Sequence, residues 1–200
     1  MHHRVLLSQC RAAWDTWEHL AATRSAAGVM FGWAFAEAIA WPIIPEFLLI
    51  PLAAGARRRL LAPLACTVVG SALGGALLYL YAMQRPDSAR SALHRLPLVS
   101  DRQIARASAS IRVHGVGALA IQPWTGVPLK VWAILAATEG LDPLVAIPTF
   151  ASSRALRMAV FAVLASLIGD RLERFLRDYS LFVAMAYAAV FCYGERRLVR

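Results

Sequence analysis

Apolar residues gather in four long runs, 25–56, 60–83, 115–140 and 143–169. A shorter apolar stretch, 180–193, precedes a basic tail at 195–200. About 20 consecutive apolar residues are needed to cross a bilayer as a helix. The second and fourth runs have that length and predict one membrane-spanning helix each. Between the second and third runs lies a polar section, 84–114, that carries Arg85, Arg90, Arg95, Arg102, Arg106 and Arg112. Its periodic part, 101–112, predicts a surface helix. Residues 1–24 mix Arg4, Arg11, Asp15, Glu18 and Arg24 with Trp14, Trp17 and several leucines. With no apolar core ahead of a small-residue cleavage site, this segment reads as an amphipathic helix lying on a membrane surface rather than a secretory signal.

The first and third runs are interrupted. The first contains Pro42, Pro45 and Pro51, with Glu46 directly after Pro45. The third contains "QPWTGVPLK", with Pro123, Gly126 and Pro128 inside six residues. Proline removes a backbone donor and clashes with the preceding turn, so neither segment continues as regular helix. Non-helical backbone at membrane depth is tolerated only inside protein or beside a watery cavity. The pattern predicts two re-entrant helical hairpins, turning at Pro42 and Pro45 and at Pro123, Gly126 and Pro128. Kinked spans are the competing reading.

The two interruptions resemble each other. "WPIIPEFLLIPLAA" (41–54) and "WTGVPLKVWAILAA" (124–137) align without gaps, with five identities in a shared Trp-x-x-x-Pro frame. Each is followed by a spanning run. One hairpin plus one crossing places the second copy on the opposite membrane face, the inverted repeat found in many transporters, with the site near the midplane. Gly28 and Gly32 in the first run, and Gly70 and Gly74 in the second, are spaced four apart and predict close helix packing.

Charges inside the apolar runs become informative in this frame. An ionisable side chain at the bilayer centre costs at least ~2.5–3.5 kcal/mol. Glu46 and Lys130 sit beside the two breaks, so meeting tips would bring a carboxylate and an ammonium together, either along a pathway or as a pair that holds the hairpins. Glu37 is a second acid in the first run, or a cap on a loosened turn. Arg154 and Arg157 share a helix face. The planar guanidinium suits phosphate, while snorkelling toward an interface is the alternative.

Composition narrows the class. The chain of 200 residues is 59% hydrophobic and 16% charged, against about 25% charged in soluble domains. The fold class expected is an all-α integral membrane protein: a membrane domain at 25–169, with repeats of about 25–83 and 115–169, flanked by 1–24 and 170–200. The net charge of +9 fits the lipid headgroup surface. No nucleic-acid motif is visible, which argues against a nucleic-acid partner. Cys10, Cys66 and Cys192 are scattered and suggest neither a disulfide framework nor a metal site. His2 and His3 read as incidental. No metal-binding acidic cluster or serine–histidine pattern supports an enzyme, and Ser71 in "GSALGG" lacks a partner histidine. No cofactor or metal is expected.

"EAIAWPIIPEFLL" resembles the first motif of the DedA family, also called the VTT or SNARE-associated domain family. "PWTGVPLKVWAILAA" resembles its second, proline–glycine motif. "VPLK" and the later "SSRALRMAVFA" are most similar to the YqaA-like branch. The likeness covers about residues 28–169. It implies re-entrant hairpins in an inverted repeat. It also implies translocation of a phospholipid or polyprenyl-phosphate carrier, linked to the proton-motive force, in a bacterial inner (plasma) membrane. The family's acids match Glu37 and Glu46, and its basic residues match Lys130, Arg154 and Arg157. Lys130 stands where an arginine is expected, which weakens two-pronged phosphate binding there. The implied partners are membrane lipids with phosphate headgroups, together with protons, and a homo-oligomer stays open. A proton-coupled ion or small-solute transporter and a non-transporting scaffold remain alternatives.

Overall fold

Proline and glycine divide the chain into helices where the sequence leads one to expect it. The structure, a computed structural model, describes residues 8–198 apart from 13, 17–18, 20–22, 24, 56–58 and 97–98. Helix α1 (Ser25–Ile39) ends at the first break, and α2 (Glu46–Gly55) follows it. Next come α3 (Leu61–Gln84), α4 (Pro86–Leu93) and α5 (Asp101–His114). Short α6 (Gly117–Ile121) runs into a 3-10 turn (Gln122–Trp124) at the second break. Then follow α7 (Leu129–Thr138), α8 (Pro143–Leu167) and α9 (Gly169–Leu198). No strand occurs among the described residues.

Helices α3 and α8, with 24 and 25 residues, are long and apolar enough to cross a membrane. At ~1.5 Å rise per residue each exceeds the roughly 30 Å hydrocarbon core. Pro63 and Pro143 lie in their first turns, where a missing N–H costs nothing. Pro51 lies within α2 without ending it.

The helices that follow the two breaks are equivalent. Each starts one residue after the shared proline, Pro45 or Pro128, and each runs for ten residues. Their packing exchanges between the halves: α1 lies along α3 and α6 along α8, whereas α2 packs on α8 and α7 on α3. Helices α3 and α8 pack against each other at the centre. Each half thus lends its second helix to the long helix of the other. Arg154 Nε donates to Ser71 Oγ (2.6 Å), and these residues stand 83 apart. That is the offset at which the two proline segments align, so positions in the same register touch.

Glycine works differently from expectation in α1. Gly28 and Gly32 face open space, while a Cβ at Gly70 would strike the Phe31 carbonyl and one at Gly74 would lie 2.7 Å from the Phe35 carbonyl. The close approach is therefore made by α3 alone. Helix α7 is the centre of the larger apolar core: every residue from 129 to 137 is buried, among Tyr79, Leu93, Ile111 and Phe150. A second core joins Ala26 and Met30 of α1, Leu49, Leu52 and Ala53 of α2, and Met158, Ala162 and Ala165 of α8. The start of α1 and the end of α2 thus meet in one cluster, although six residues of broken helix separate the two helices.

The described part of the N-terminal segment packs against α9. Cys10 and Trp14 are buried, Arg11 pairs with Asp178 at 3.0 Å, and Arg177 approaches Asp15 at 3.9 Å. Cys10 and Trp14 are the apolar side chains shown to be covered there, and the two ion pairs place them beside α9. His2, His3, Arg4, Glu18, Arg24, Arg57, Arg58 and Arg200 lie outside the described residues. Helix α4 was not anticipated within 84–114, and α9 runs through the apolar stretch 180–193 as part of one continuous helix.

Candidate functional site

Backbone groups freed by the two breaks need partners, and the sequence supplies them. At the first break Trp33 Nε1 donates to the Ile43 carbonyl (3.0 Å), and Trp33 meets Trp41 edge-on. Lys130 Nζ donates to the Trp41 carbonyl (2.9 Å) and reaches the Glu37 carbonyl (3.5 Å). A cation at the carbonyl end of α1 is also favoured by the helix dipole. At the second break Gly126 takes φ +72, a conformation that a side chain disfavours. Thr125 Oγ1 donates to the Gln122 carbonyl (2.8 Å) and accepts from Val127 N (3.3 Å). Arg157 Nη1 donates to the Pro123 carbonyl (2.7 Å), and Gln103 Nε2 reaches the Gly126 carbonyl (3.4 Å).

Between the breaks lies a cavity of about 250 Å³. Glu37, Lys130, Arg154 and Arg157 line it, together with Pro42 of the first break and Gly126 and Pro128 of the second. Glu46 is outside the lining but touches it through Arg157, whose Nε lies 3.0 Å from Glu46 Oε1. All five charged residues singled out in the sequence therefore converge. Pro45 does not line the cavity; its carbonyl accepts from Leu48 and Leu49 and starts α2. Pro123 takes part through its carbonyl alone.

The pairing differs from expectation. Glu46 and Lys130 do not bond; each acid takes an arginine and the lysine holds backbone carbonyls. A guanidinium on α8 faces α1 and α2 directly, while Lys130, near the start of α7, points at the end of α1. Arg154 Nη2 donates to Glu37 Oε2, and both side chains are about 95% buried. Ser71 braces the same arginine. Neither oxygen of Glu46 accepts a hydrogen bond, so its contact with Arg157 is one of charge alone. Arg157 is the more open guanidinium, with its side chain 19% exposed. It also sits 5.5 Å from the Phe161 ring centroid, within cation–π range.

Three lining residues were not anticipated: Ile44, Gln103 and Val127. Gln103 had a sequence signal. Ser100-x-x-Gln103 is a capping box, and both of its hydrogen bonds form at the start of α5. The box fixes the start of α5 beside the cavity.

A second cavity, about 300 Å³, lies between α4, α5 and α7. Its charges are tied up: Arg112 makes two bonds to Glu139 (3.0 and 3.2 Å), Ser108 donates to it (3.0 Å), Arg90 lies 3.7 Å from it, and His94 contacts Asp101 at 2.8 Å. The Arg112 bonds hold the Glu139 carboxyl below its ordinary range. This cluster closes the outer end of the second break segment and leaves the first cavity as the better site. No group of three or more His, Cys, Asp and Glu side chains suited to a metal occurs among the described residues.

The chain matches no protein-family model, no curated protein and no solved structure. The functional reading therefore rests on the cavity.

Proposed function

We propose that this chain is an integral membrane protein that carries the phosphate headgroup of a membrane lipid across the bilayer, as a flippase or scramblase. In this reading the two breaks are re-entrant hairpins of an inverted repeat, and α3 and α8 cross the membrane. The observation that carries it is the meeting of both breaks and five charged side chains at one cavity. Charges are costly at membrane depth and mark pathways there. The exposed face of α3, with Val69, Leu73, Leu77 and Leu80, suits contact with acyl chains. The likeness of both motifs to the DedA family points the same way, including its bacterial inner membrane.

Lys130, Arg154 and Arg157 would receive the phosphate. Glu37 and Glu46 are the groups able to take up protons as the arginines change partners. Purified protein in liposomes tests the reading. Labelled phospholipid or polyprenyl phosphate is expected to move between leaflets, and Lys130→Ala is expected to slow it at normal protein levels. If no labelled lipid moves, with or without a pH gradient, the reading is wrong.

A further inference from the structure

The charge inventory of the cavity carries the reading further. Glu37 cancels Arg154 and Glu46 cancels Arg157, each by direct contact. Lys130 is 98% buried and holds only backbone carbonyls. Among the described residues that line or touch the cavity, it is the cation left over. Counted by formal charge, with all five side chains ionised, the site holds one net positive charge.

Uncompensated charge away from water is expensive, whichever its sign. A ligand with a single negative charge leaves the occupied site neutral. A ligand with two leaves one negative charge beside two buried carboxylates. A phosphate joined through two ester bonds carries one charge, whereas a phosphate on a single ester approaches two above its second ionisation near pH 6. A volume of about 250 Å³ also leaves room beyond the phosphate for a small second substituent.

We propose, resting on the lipid-phosphate reading above, that the site is built for a phosphodiester headgroup and discriminates against a phosphomonoester. Substrates of this class are diacyl phospholipids with a headgroup alcohol, rather than phosphatidate or a lipid monophosphate. Specificity is set by the balance of two acids against three bases. It should therefore shift predictably when that balance is changed.

The test measures binding to the intact protein in nanodiscs at about pH 8.5, with short-chain phosphatidylglycerol as the diester and short-chain phosphatidate as the monoester. The diester is expected to bind at least about tenfold more tightly. Glu46→Gln and Glu37→Gln each raise the site to two positive charges, and each should narrow or reverse that ratio. Glu46→Gln serves on its own if Glu37→Gln fails to fold. Dimethyl phosphate, the same monoanion without acyl chains, should compete poorly; competition equal to that of the lipid diester would overturn a lipid source. Wild-type protein that binds phosphatidate as tightly as phosphatidylglycerol, or a ratio unchanged in the folded acid variants, overturns the charge match while leaving the lipid-phosphate reading standing. Binding of neither lipid removes that reading itself, and this inference with it.

Discussion

The two halves of the molecule share a backbone plan and oppose each other in charge. In both, a shared proline starts a ten-residue helix and a long apolar helix follows. To the cavity, however, the first half gives acids, Glu37 and Glu46, and the second gives bases, Lys130, Arg154 and Arg157. Equivalent positions make the contrast specific. Where α8 has Arg154 and Arg157, α3 has Ser71 and Gly74. Gly70 and Gly74 of α3 admit α1 at close range, whereas Arg154 and Arg157 of α8 reach across to Glu37 and Glu46 of the first half. A repeated fold can thus specialise one copy for packing and the other for chemistry while the helices keep their relation.

Arg154→Ser gives the second half the residue of the first and should have the largest effect. It strands the buried Glu37 carboxylate, a loss of about 3–5 kcal/mol. Thermal unfolding in detergent should fall on the order of 10 °C or more. Adding Glu37→Gln should recover part of that loss; a single variant that melts like wild type would break the comparison.

Gly70→Ala comes next. Its methyl group would meet the Phe31 carbonyl, an overpacking cost of about 1–3 kcal/mol. Gly28→Ala, which faces open space, should instead be neutral or stabilising by about 0.5–1 kcal/mol. Equal melting of the two variants would show that α3 does not make the close approach.

Glu46→Gln should cost less stability than Glu37→Gln, about 1 kcal/mol, because no hydrogen bond to its carboxylate is lost. Parallel melting curves of the two variants decide this. A larger loss for Glu46→Gln would reverse the ranking of the two ion pairs.

The smallest effect concerns Glu139, at the end of α7 in the second half. Its carboxyl is held below the ordinary range by Arg112. A depressed carboxyl contributes stability above its unfolded value, about pH 4, and loses it as pH falls through the folded value. Melting curves between pH 7 and pH 3 should show a decrement of about 2 °C that is absent in Glu139→Gln, the variant being lower at neutral pH. An identical pH dependence in both proteins would remove Glu139 from the clamp.

Much of the architecture was legible because proline speaks locally. Both breaks fall where prolines cluster, at Pro42 and Pro45 and at Pro123 and Pro128, whereas the isolated Pro51 and Pro148 lie inside helices. The lengths of α3 and α8 followed from apolar runs alone. The five charged residues of the cavity were also legible, since few others interrupt those runs. The pairing was not. Which arginine meets which acid depends on how α8 rotates against α1 and α2, and apolar periodicity on an almost wholly apolar helix does not fix that rotation. The same limit applies to glycine: Gly28-x-x-x-Gly32 and Gly70-x-x-x-Gly74 look alike, yet only the second pair faces a neighbour. Ser71 stands in the sequence only as a serine without a partner histidine, although extending the 83-residue offset sets it opposite Arg154.

The contact between Ser71 and Arg154 has a consequence for ancestry. In a dimer of two identical short chains, the residue nearest the axis would face its own copy. Two copies of the second half would set arginine against arginine with no acid opposite them, since Ala120 and Leu129 stand where the first half has Glu37 and Glu46, and two copies of the first half would set serine against serine and leave Glu37 without a counterion. A serine on one side and an arginine on the other requires two unlike segments, and a single fused chain supplies them in fixed proportion. A single chain that carries both segments therefore sets unlike side chains against each other at this buried contact, which two identical copies do not do.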